Sequence, residues 1–212
     1  MTSSAVVDHE HDRTQLERMT FFSDAVFAIA MTLLVVEVKV PHIARLDETL
    51  LAQGLLDLIP NYIGFLVSFL VLGRFWVSHH MIMGQLRATS QKLVWANLYL
   101  LLAVAFMPFP TAVVGEYVQL RVAVGFYAVW LVLLGLLNRR IVRIAIRDEA
   151  LRRTDVAADM LYPHLRASWI PILIGSLAFA GGMVSPWIAL GVLVIGSPII
   201  SLLLRRRGAT PG

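Results

Sequence analysis

The 212-residue chain contains no cysteine, which excludes disulfides, thiolate nucleophiles and metal sites built on cysteine sulfur. It is also poor in charge, because Asp, Glu, Lys and Arg make up only 15% of the residues, whereas a soluble domain carries about 25%. His-Glu-x-x-His, Gly-x-Ser-x-Gly and Walker-loop motifs are missing. These absences exclude a soluble enzyme, a nucleic-acid-binding module and a disordered protein. We expect no enzymatic activity, no cofactor or metal, and no nucleic-acid partner.

Apolar residues are in excess: they account for 58% of the chain, and the mean hydropathy is +0.75. They are concentrated in six runs near membrane-spanning length. The runs cover residues 19–40, 57–78, 93–114, 119–138, 167–184 and 186–204. The sequence therefore predicts an all-α, polytopic membrane protein with six transmembrane helices in a lipid bilayer.

The expected layout is a single transmembrane domain over residues 18–204, between an N-terminal tail at 1–17 and a C-terminal tail at 205–212. A basic loop at about 139–166 joins the fourth and fifth spans. Its first residues mix Ile and Arg at near-helical spacing, so the alternatives are that they extend the fourth span or lie on the anionic inner leaflet. Of the 18 Lys and Arg residues, 14 fall on the side that holds both tails and this loop, three fall on the other side, and Arg74 lies inside the second span. Because cytoplasmic segments carry the excess of Lys and Arg, we expect both termini in the cytoplasm.

The first span carries a carboxylate near each end, Asp24 and Glu37, separated by 12 uncharged residues. An ionisable side chain in a span costs about 2.5–3.5 kcal/mol on insertion scales, so it is expected to face protein or water. Counting residues along antiparallel spans brings Trp76, His79 and Asn97 to the depth of Asp24. We expect Asp24 to bond His79, Asn97 or a helix of another copy. The simpler alternative is that this cluster only joins helices, at about 0.6 kcal/mol for each hydrogen bond.

Above Asp24, the first span carries an apolar stripe made of Ile29, Leu33 and Val36, with the hydroxyl of Thr32 beside it. Taken alone, such a stripe most simply contacts lipid or neighbouring helices. The alternative is that copies of this helix surround a shared axis. Stacked apolar rings would then form a constriction that blocks ions by dewetting, with Glu37 attracting cations at the outer mouth.

A motif at the start of this span carries a family resemblance. Arg18-x-x-x-Phe22-Ser23-Asp24, followed by the apolar residues 25–35, resembles the first helix of the transmembrane protein 175 family, whose best known member is the lysosomal potassium channel of animals. The stretches at 95–97 and 108–111 in the third span resemble the family too. The chain is similar to the six-span prokaryotic members.

The resemblance implies a potassium-permeable leak channel in a prokaryotic plasma membrane, assembled as a homotetramer, with K⁺ as the permeant ion. It further implies that the first helices line the pore and that the narrowest ring falls on Ile29. Leu33 and Val36 follow, with Thr32 near the ion path, and Val36 stands where the family pattern has Leu. The fold is not that of ordinary potassium channels, whose Thr-Val-Gly-Tyr-Gly filter is absent here.

The resemblance also assigns the motif residues a structural role. They are expected to pack and hydrogen-bond against the second and third spans, where the candidate partners are Trp76, His79 and Asn97.

A proton- or ion-coupled secondary transporter is the main alternative. It would need polar groups near the bilayer midplane, often at broken helices. The residues that could break helices are Pro108-Phe109-Pro110, Pro171 and Gly181-Gly182.

Overall fold

The computed structural model describes the backbone of residues 2–207 and the side chains of residues 13–196. The regular secondary structure of this part of the chain is helical, apart from one isolated β-bridge between Leu86 and Arg152. Its α-helices are α1 (Thr2–Leu33), α2 (Glu48–Asp57), α3 (Ile59–Met83), α4 (Gln91–Ala105), α5 (Pro108–Glu116), α6 (Arg121–Arg147), α7 (Tyr162–Ala167), α8 (Trp169–Val184) and α9 (Pro186–Arg207). Short 3₁₀ turns cover Leu34–Glu37, Glu149–Leu151 and Ala158–Leu161.

Five segments of the described residues are long and apolar enough to cross a membrane, so the chain is a multi-pass membrane protein. They are Arg13–Glu37, Ile59–Met83, Gln91–Glu116, Arg121–Arg147 and Ala158–Val184. The predicted count of six is therefore one too high for the described residues. The sixth predicted span falls on α9, whose described apolar part, Pro186–Gly196, measures only about 16 Å. The side chains of residues 197–204 lie outside the described residues.

Three boundaries differ from the sequence prediction. Helix α1 begins at Thr2, so the predicted tail at 1–17 continues the helix of the first span. The predicted loop at 139–166 is shorter, because α6 runs on to Arg147 and the next candidate span begins at Ala158. The predicted tail at 205–212 overlaps the end of α9, and residues 208–212 lie outside the described part of the chain.

Local chemistry explains where several helices begin and end. Asp47 caps α2 by accepting the backbone N–H groups of residues 49 and 50, and Ser90 caps α4 by accepting that of Leu93. The third span is interrupted between α4 and α5, where Pro108 and Pro110 lack the amide donors that an unbroken helix needs. This break was among those considered from the sequence. Pro171 and Gly181-Gly182, by contrast, lie inside α8.

The helices form two connected groups. Helix α1 packs against α3 and α4, while α6, α8 and α9 pack against one another. Contacts of α3 with α5 and of α4 with α6 join the two groups. The first group positions the polar residues of α1, so it is the part of the fold that matters for the site.

Helices α6 and α8 approach closely at two glycines. A Cβ atom added to Gly175 would lie 2.7 Å from the backbone oxygen of Ala128 and 2.7 Å from Cγ2 of Val132. A Cβ atom added to Gly135 would lie 2.7 Å from Cγ1 of Ile172. Small residues at such crossings let helix backbones approach in membranes, where no hydrophobic force drives helices together.

We expect Gly175→Ala to lower the free energy of unfolding by about 1–3 kcal/mol, because the new methyl group forces α6 and α8 apart. Gly191→Ala is the matched control, since a Cβ there meets nothing within 4 Å, and it should leave stability unchanged or raise it by up to about 1 kcal/mol. Unfolding in mixed micelles, followed by circular dichroism, measures both. Equal effects at the two positions would contradict the close packing of α6 and α8.

Candidate functional site

Helix α1 has two opposite faces. Its packed face carries Ser23 and Phe27 and continues into Leu34 of the following 3₁₀ turn, and all three side chains are completely buried. The other face carries Ile29 and Leu33, whose side chains are 58% and 45% exposed. The packed and exposed residues lie on opposite sides of a helix that turns by 100° per residue. A single copy of the chain therefore leaves one apolar side of its first span uncovered.

The uncovered surface runs along the whole first span. It includes four exposed residues that fall within about 60° of one another around α1: Arg18, Phe22, Ile29 and Leu33. Val36, in the 3₁₀ turn after α1, is 66% exposed. We call Ile29, Leu33 and Val36, in the C-terminal half of this surface, the apolar stripe.

The polar residues beside the apolar stripe have local roles in one copy. The Thr32 hydroxyl is exposed and donates a 2.9 Å hydrogen bond to the backbone oxygen of Ile29, within its own helix. Glu37 is half-buried at the end of the 3₁₀ turn Leu34–Glu37. Both residues therefore lie in the C-terminal half of the first span.

A chain of buried hydrogen bonds holds the packed face of α1 against α3 and α4. Ser23 Oγ donates to the backbone oxygen of Met19 at 2.8 Å and accepts from Asn97 Nδ2 at 2.9 Å. Asn97 Oδ1 in turn lies 2.7 Å from His79 Nε2. An acceptor oxygen there requires His79 to carry its proton on Nε2. We call Ser23, Asn97 and His79 the polar anchor.

The polar anchor has no contact with water, because all three side chains are at most 1% exposed. The His79 ring also packs against Phe27 of α1, with ring centroids 5.7 Å apart. Its Nδ1 is buried without a hydrogen-bond partner among the described residues. The anchor thus combines directional hydrogen bonds with a ring contact to the same helix.

Among the three candidate partners of the motif, Asp24 bonds Trp76 and not His79 or Asn97, which the depth count favoured for it. Its Oδ1 accepts a 2.8 Å hydrogen bond from Trp76 Nε1, whereas His79 and Asn97 bond to each other and to Ser23. Successive residues of a helix point about 100° apart, so Ser23 and Asp24 cannot face the same partner. Two adjacent residues of α1 therefore hold it through two separate sets of contacts.

The four motif residues divide between the two faces of α1. Ser23 and Asp24 make hydrogen bonds to neighbouring helices, as the resemblance implies for the motif. Arg18 and Phe22 lie on the exposed side. Arg18 has no ion pair or hydrogen bond within the described part of the chain, so the packing expected of it and of Phe22 is not found in a single copy.

One polar cluster was not anticipated from the sequence. Where the third span breaks, Thr111 Oγ1 donates to Ser68 Oγ at 2.8 Å, and Ser68 Oγ lies 3.0 Å from the hydroxyl of Tyr127. The three residues are buried and satisfy one another. The signal in the sequence was the hydroxyl of Thr111, which directly follows Pro110. Because the break is closed in this way, it leaves none of these hydroxyls free for a substrate, which the transporter alternative would need.

The structure so far defines a multi-pass α-helical membrane protein whose first span is anchored on one side and uncovered on the other. Comparison with known proteins identifies the group to which it belongs. Residues 18–108 match the family described as endosomal/lysosomal potassium channel TMEM175. This match begins at Arg18, the first residue of the motif.

Full-length relatives extend the similarity over most of the chain. A protein of Chamaesiphon minutus named as a potassium channel is 35% identical over 188 residues, which cover 87% of this chain and 92% of that protein. A potassium channel of Streptomyces collinus is 35% identical over 76% of this chain and 78% of its own length. The chain belongs to the TMEM175 family.

A solved structure agrees with this assignment. The crystal structure of a lysosomal potassium-selective channel TMEM175 homolog from Chamaesiphon minutus superposes with a TM-score of 0.77 at 30% identity. The alignment covers 93% of this chain and all of the other. The arrangement of helices described above is thus shared with a channel structure.

The polar anchor can be tested by a double-mutant cycle. Ser23→Ala and Asn97→Ala should each destabilise the protein, and their effects should be coupled by about 0.6 kcal/mol, and by up to about 1.7, because the two side chains share one hydrogen bond. Ser23→Ala combined with Thr111→Ala is the control pair, since these residues have no common hydrogen-bond partner. Unfolding in mixed micelles supplies the energies. Additive effects of Ser23→Ala and Asn97→Ala would contradict the anchor.

Proposed function

We propose that this protein is a potassium-permeable, leak-type cation channel, formed by a homotetramer whose α1 helices surround a central pore. The observation that carries the proposal is the uncovered apolar stripe of α1, on the side opposite the polar anchor. The names of the relatives in Chamaesiphon minutus and Streptomyces collinus support K⁺ as the permeant ion. We propose no enzymatic activity and no cofactor.

Assembly follows from the position of the stripe. In one copy, Ile29 and Leu33 lie on the outer surface of the helix bundle. Identical copies arranged around an axis would bring these surfaces together in a closed ring. Each α1 would then turn its packed face towards its own α3 and α4 and its apolar stripe towards the axis.

Apolar rings would control permeation in such an assembly. The rings of Ile29, Leu33 and Val36 would stack along the axis and would exclude water when narrow. K⁺ sheds hydration water more easily than Na⁺, so a narrow apolar ring penalises Na⁺ more and gives modest selectivity. Because the Thr32 hydrogen is engaged by Ile29, its oxygen lone pairs would face a passing cation.

Two carboxylates would flank the rings. Glu37 would lie at the outer end of the pore helix and Asp24 near its inner end, and both would attract cations. The proposed location is the prokaryotic plasma membrane, with both termini in the cytoplasm. This orientation places Arg140, Arg143 and Arg147 of α6 on the cytoplasmic side, as the positive-inside rule requires.

The proposed apolar ring can be tested by placing a polar side chain at its narrowest position. We expect Ile29→Asn to raise K⁺ conductance and to lower the preference for K⁺ over Na⁺, because a carboxamide lets water into the constriction. Leu177→Asn is the matched control: Leu177, on α8, is 58% exposed, as is Ile29. Single-channel recording of purified protein under a K⁺/Na⁺ bi-ionic gradient measures both quantities. If Ile29→Asn and the control behave alike, Ile29 does not line the pore.

Because the chain contains no native cysteine, a single introduced cysteine is the only thiol that a reagent can modify, and this allows a second test of the pore. Leu33→Cys should be blocked by a cationic methanethiosulfonate reagent, because a thiol facing the pore reacts and places a positive charge in the ion path. Leu177→Cys, at an exposed position in the middle of another apolar span, should show no change in current under the same treatment. Saturable, proton-coupled K⁺ uptake, detected with a pH-sensitive dye in vesicles, would instead indicate the secondary transporter. Chemical cross-linking of the purified protein measures the number of subunits.

A further inference from the structure

Helices α4 and α6 form a strongly basic surface away from the proposed pore helix. Two adjoining hollows, of about 360 and 380 Å³, lie between the start of α4 and the last turns of α6. Both hollows are lined by Lys92 and Arg140, and Arg143 and Arg147 complete the first. We call these four residues the basic cleft.

Within residues 13–196, whose side chains the structure describes, no acidic side chain compensates the charges of the basic cleft. All four side chains are exposed, and none has an ion pair or hydrogen bond among the described residues. Other arginines on the same side are differently placed. Arg153 pairs with Asp155 at 3.1 Å, and Arg139 is buried beneath Trp169, with its guanidinium carbon 4.3 Å from the ring centroid. The cleft therefore concentrates positive charge that an external anion can neutralise.

Aromatic side chains border the cleft on the side of the bilayer. Trp95 and Tyr99 line the second hollow and are both exposed. The guanidinium carbon of Arg140 lies 5.9 Å from the centre of the Tyr99 ring. Exposed tryptophan and tyrosine at the boundary between charged and apolar surface are typical of the level of lipid headgroups.

The same face becomes apolar further into the bilayer. Leu102 follows Trp95 and Tyr99 at helical spacing on α4, and Leu136 precedes Arg140 by one turn on α6. Both leucines are exposed. One surface thus offers cations, then aromatic rings, then aliphatic side chains, which is the order of groups that a phospholipid needs from headgroup to acyl chain.

We propose that the basic cleft binds an anionic phospholipid of the inner leaflet and prefers a headgroup with two phosphates over a headgroup with one. Basic sites between transmembrane helices on the cytoplasmic side bind such headgroups in membrane proteins. Two hollows that share Lys92 and Arg140 provide one position for each phosphate. The bordering leucines select a lipid over a soluble phosphate, because acyl chains can cover them. The inference does not depend on the proposed channel activity.

Tryptophan fluorescence tests whether a lipid occupies the cleft. The full-length protein is reconstituted in phosphatidylcholine nanodiscs with brominated diphosphatidylglycerol, brominated phosphatidylglycerol or brominated phosphatidylcholine at equal bromine content. Subtracting the signal of Trp95→Phe isolates Trp95 from the other four tryptophans. We expect quenching to saturate at the lowest lipid fraction with diphosphatidylglycerol, then with phosphatidylglycerol. Equal quenching by all three lipids, or no quenching of Trp95, would overturn the proposal.

Charge removal tests whether the cleft itself provides the affinity. Arg140→Gln with Arg143→Gln should weaken diphosphatidylglycerol binding about 30-fold, or about fivefold for each lost cation. Arg153→Gln with Arg166→Gln removes the same charge from exposed positions outside the cleft and should leave binding nearly unchanged. Circular dichroism checks that both variants fold. An equal loss in both would show general surface attraction, and displacement of the lipid by millimolar glycerophosphate would show a soluble-phosphate site; either result overturns the proposal.

Discussion

The orientation of α1 about its own axis is the constraint on which the candidate site depends. The buried chain from Ser23 through Asn97 to His79 sets this orientation, because its hydrogen bonds are directional and shielded from water. With the polar anchor in place, Ile29 and Leu33 must face away from α3 and α4. The exposed stripe is therefore a consequence of the anchor as much as of its own side chains.

Polar groups within the spans are mostly paired with one another. Asp24 meets Trp76, and the hydroxyls of Ser68, Thr111 and Tyr127 meet where the third span breaks. An unpaired polar group in hydrocarbon is costly, so such pairs are found only where the helices have a defined arrangement. These contacts connect α3 to α1, α5 and α6. The first span is thus held by a scaffold that is itself joined by polar contacts.

Much of this arrangement can be predicted from the sequence, because depth in a membrane follows from counting residues. Counting along antiparallel spans placed Trp76, His79 and Asn97 at the level of the motif. In the structure Trp76 bonds Asp24, Asn97 bonds Ser23, and His79 joins the same cluster through Asn97. The rotation of each neighbouring helix does not follow from such a count. This is why the depth count favoured His79 or Asn97 over Trp76 as the partner of Asp24, and why Arg18 and Phe22 were expected to be packed.

The ends of the helices can be predicted from the sequence only where the chemistry that sets them is local. The Pro108-Pro110 pair marks a break because proline chemistry is local. The extension of α6 through residues 139–147 is not readable from composition, since exposed arginines suit a loop and a helix equally well. The pore positions Ile29, Leu33 and Val36 remain predictions about an assembly, because a pore ring forms between copies of the chain.

The two ends of α1 are restrained in different ways. In its N-terminal half, directional hydrogen bonds hold Ser23 and Asp24, whereas the C-terminal end passes into a 3₁₀ turn that is held through the apolar side chain of Leu34. Measured from Ser23, Ile29 lies about 9 Å along the helix and Leu33 about 15 Å. Any tilt about the inner attachment displaces Leu33 almost twice as far as Ile29. In a symmetric assembly, the aperture nearest the cytoplasm would be the stiffest, while the extracellular side could widen or close under small forces.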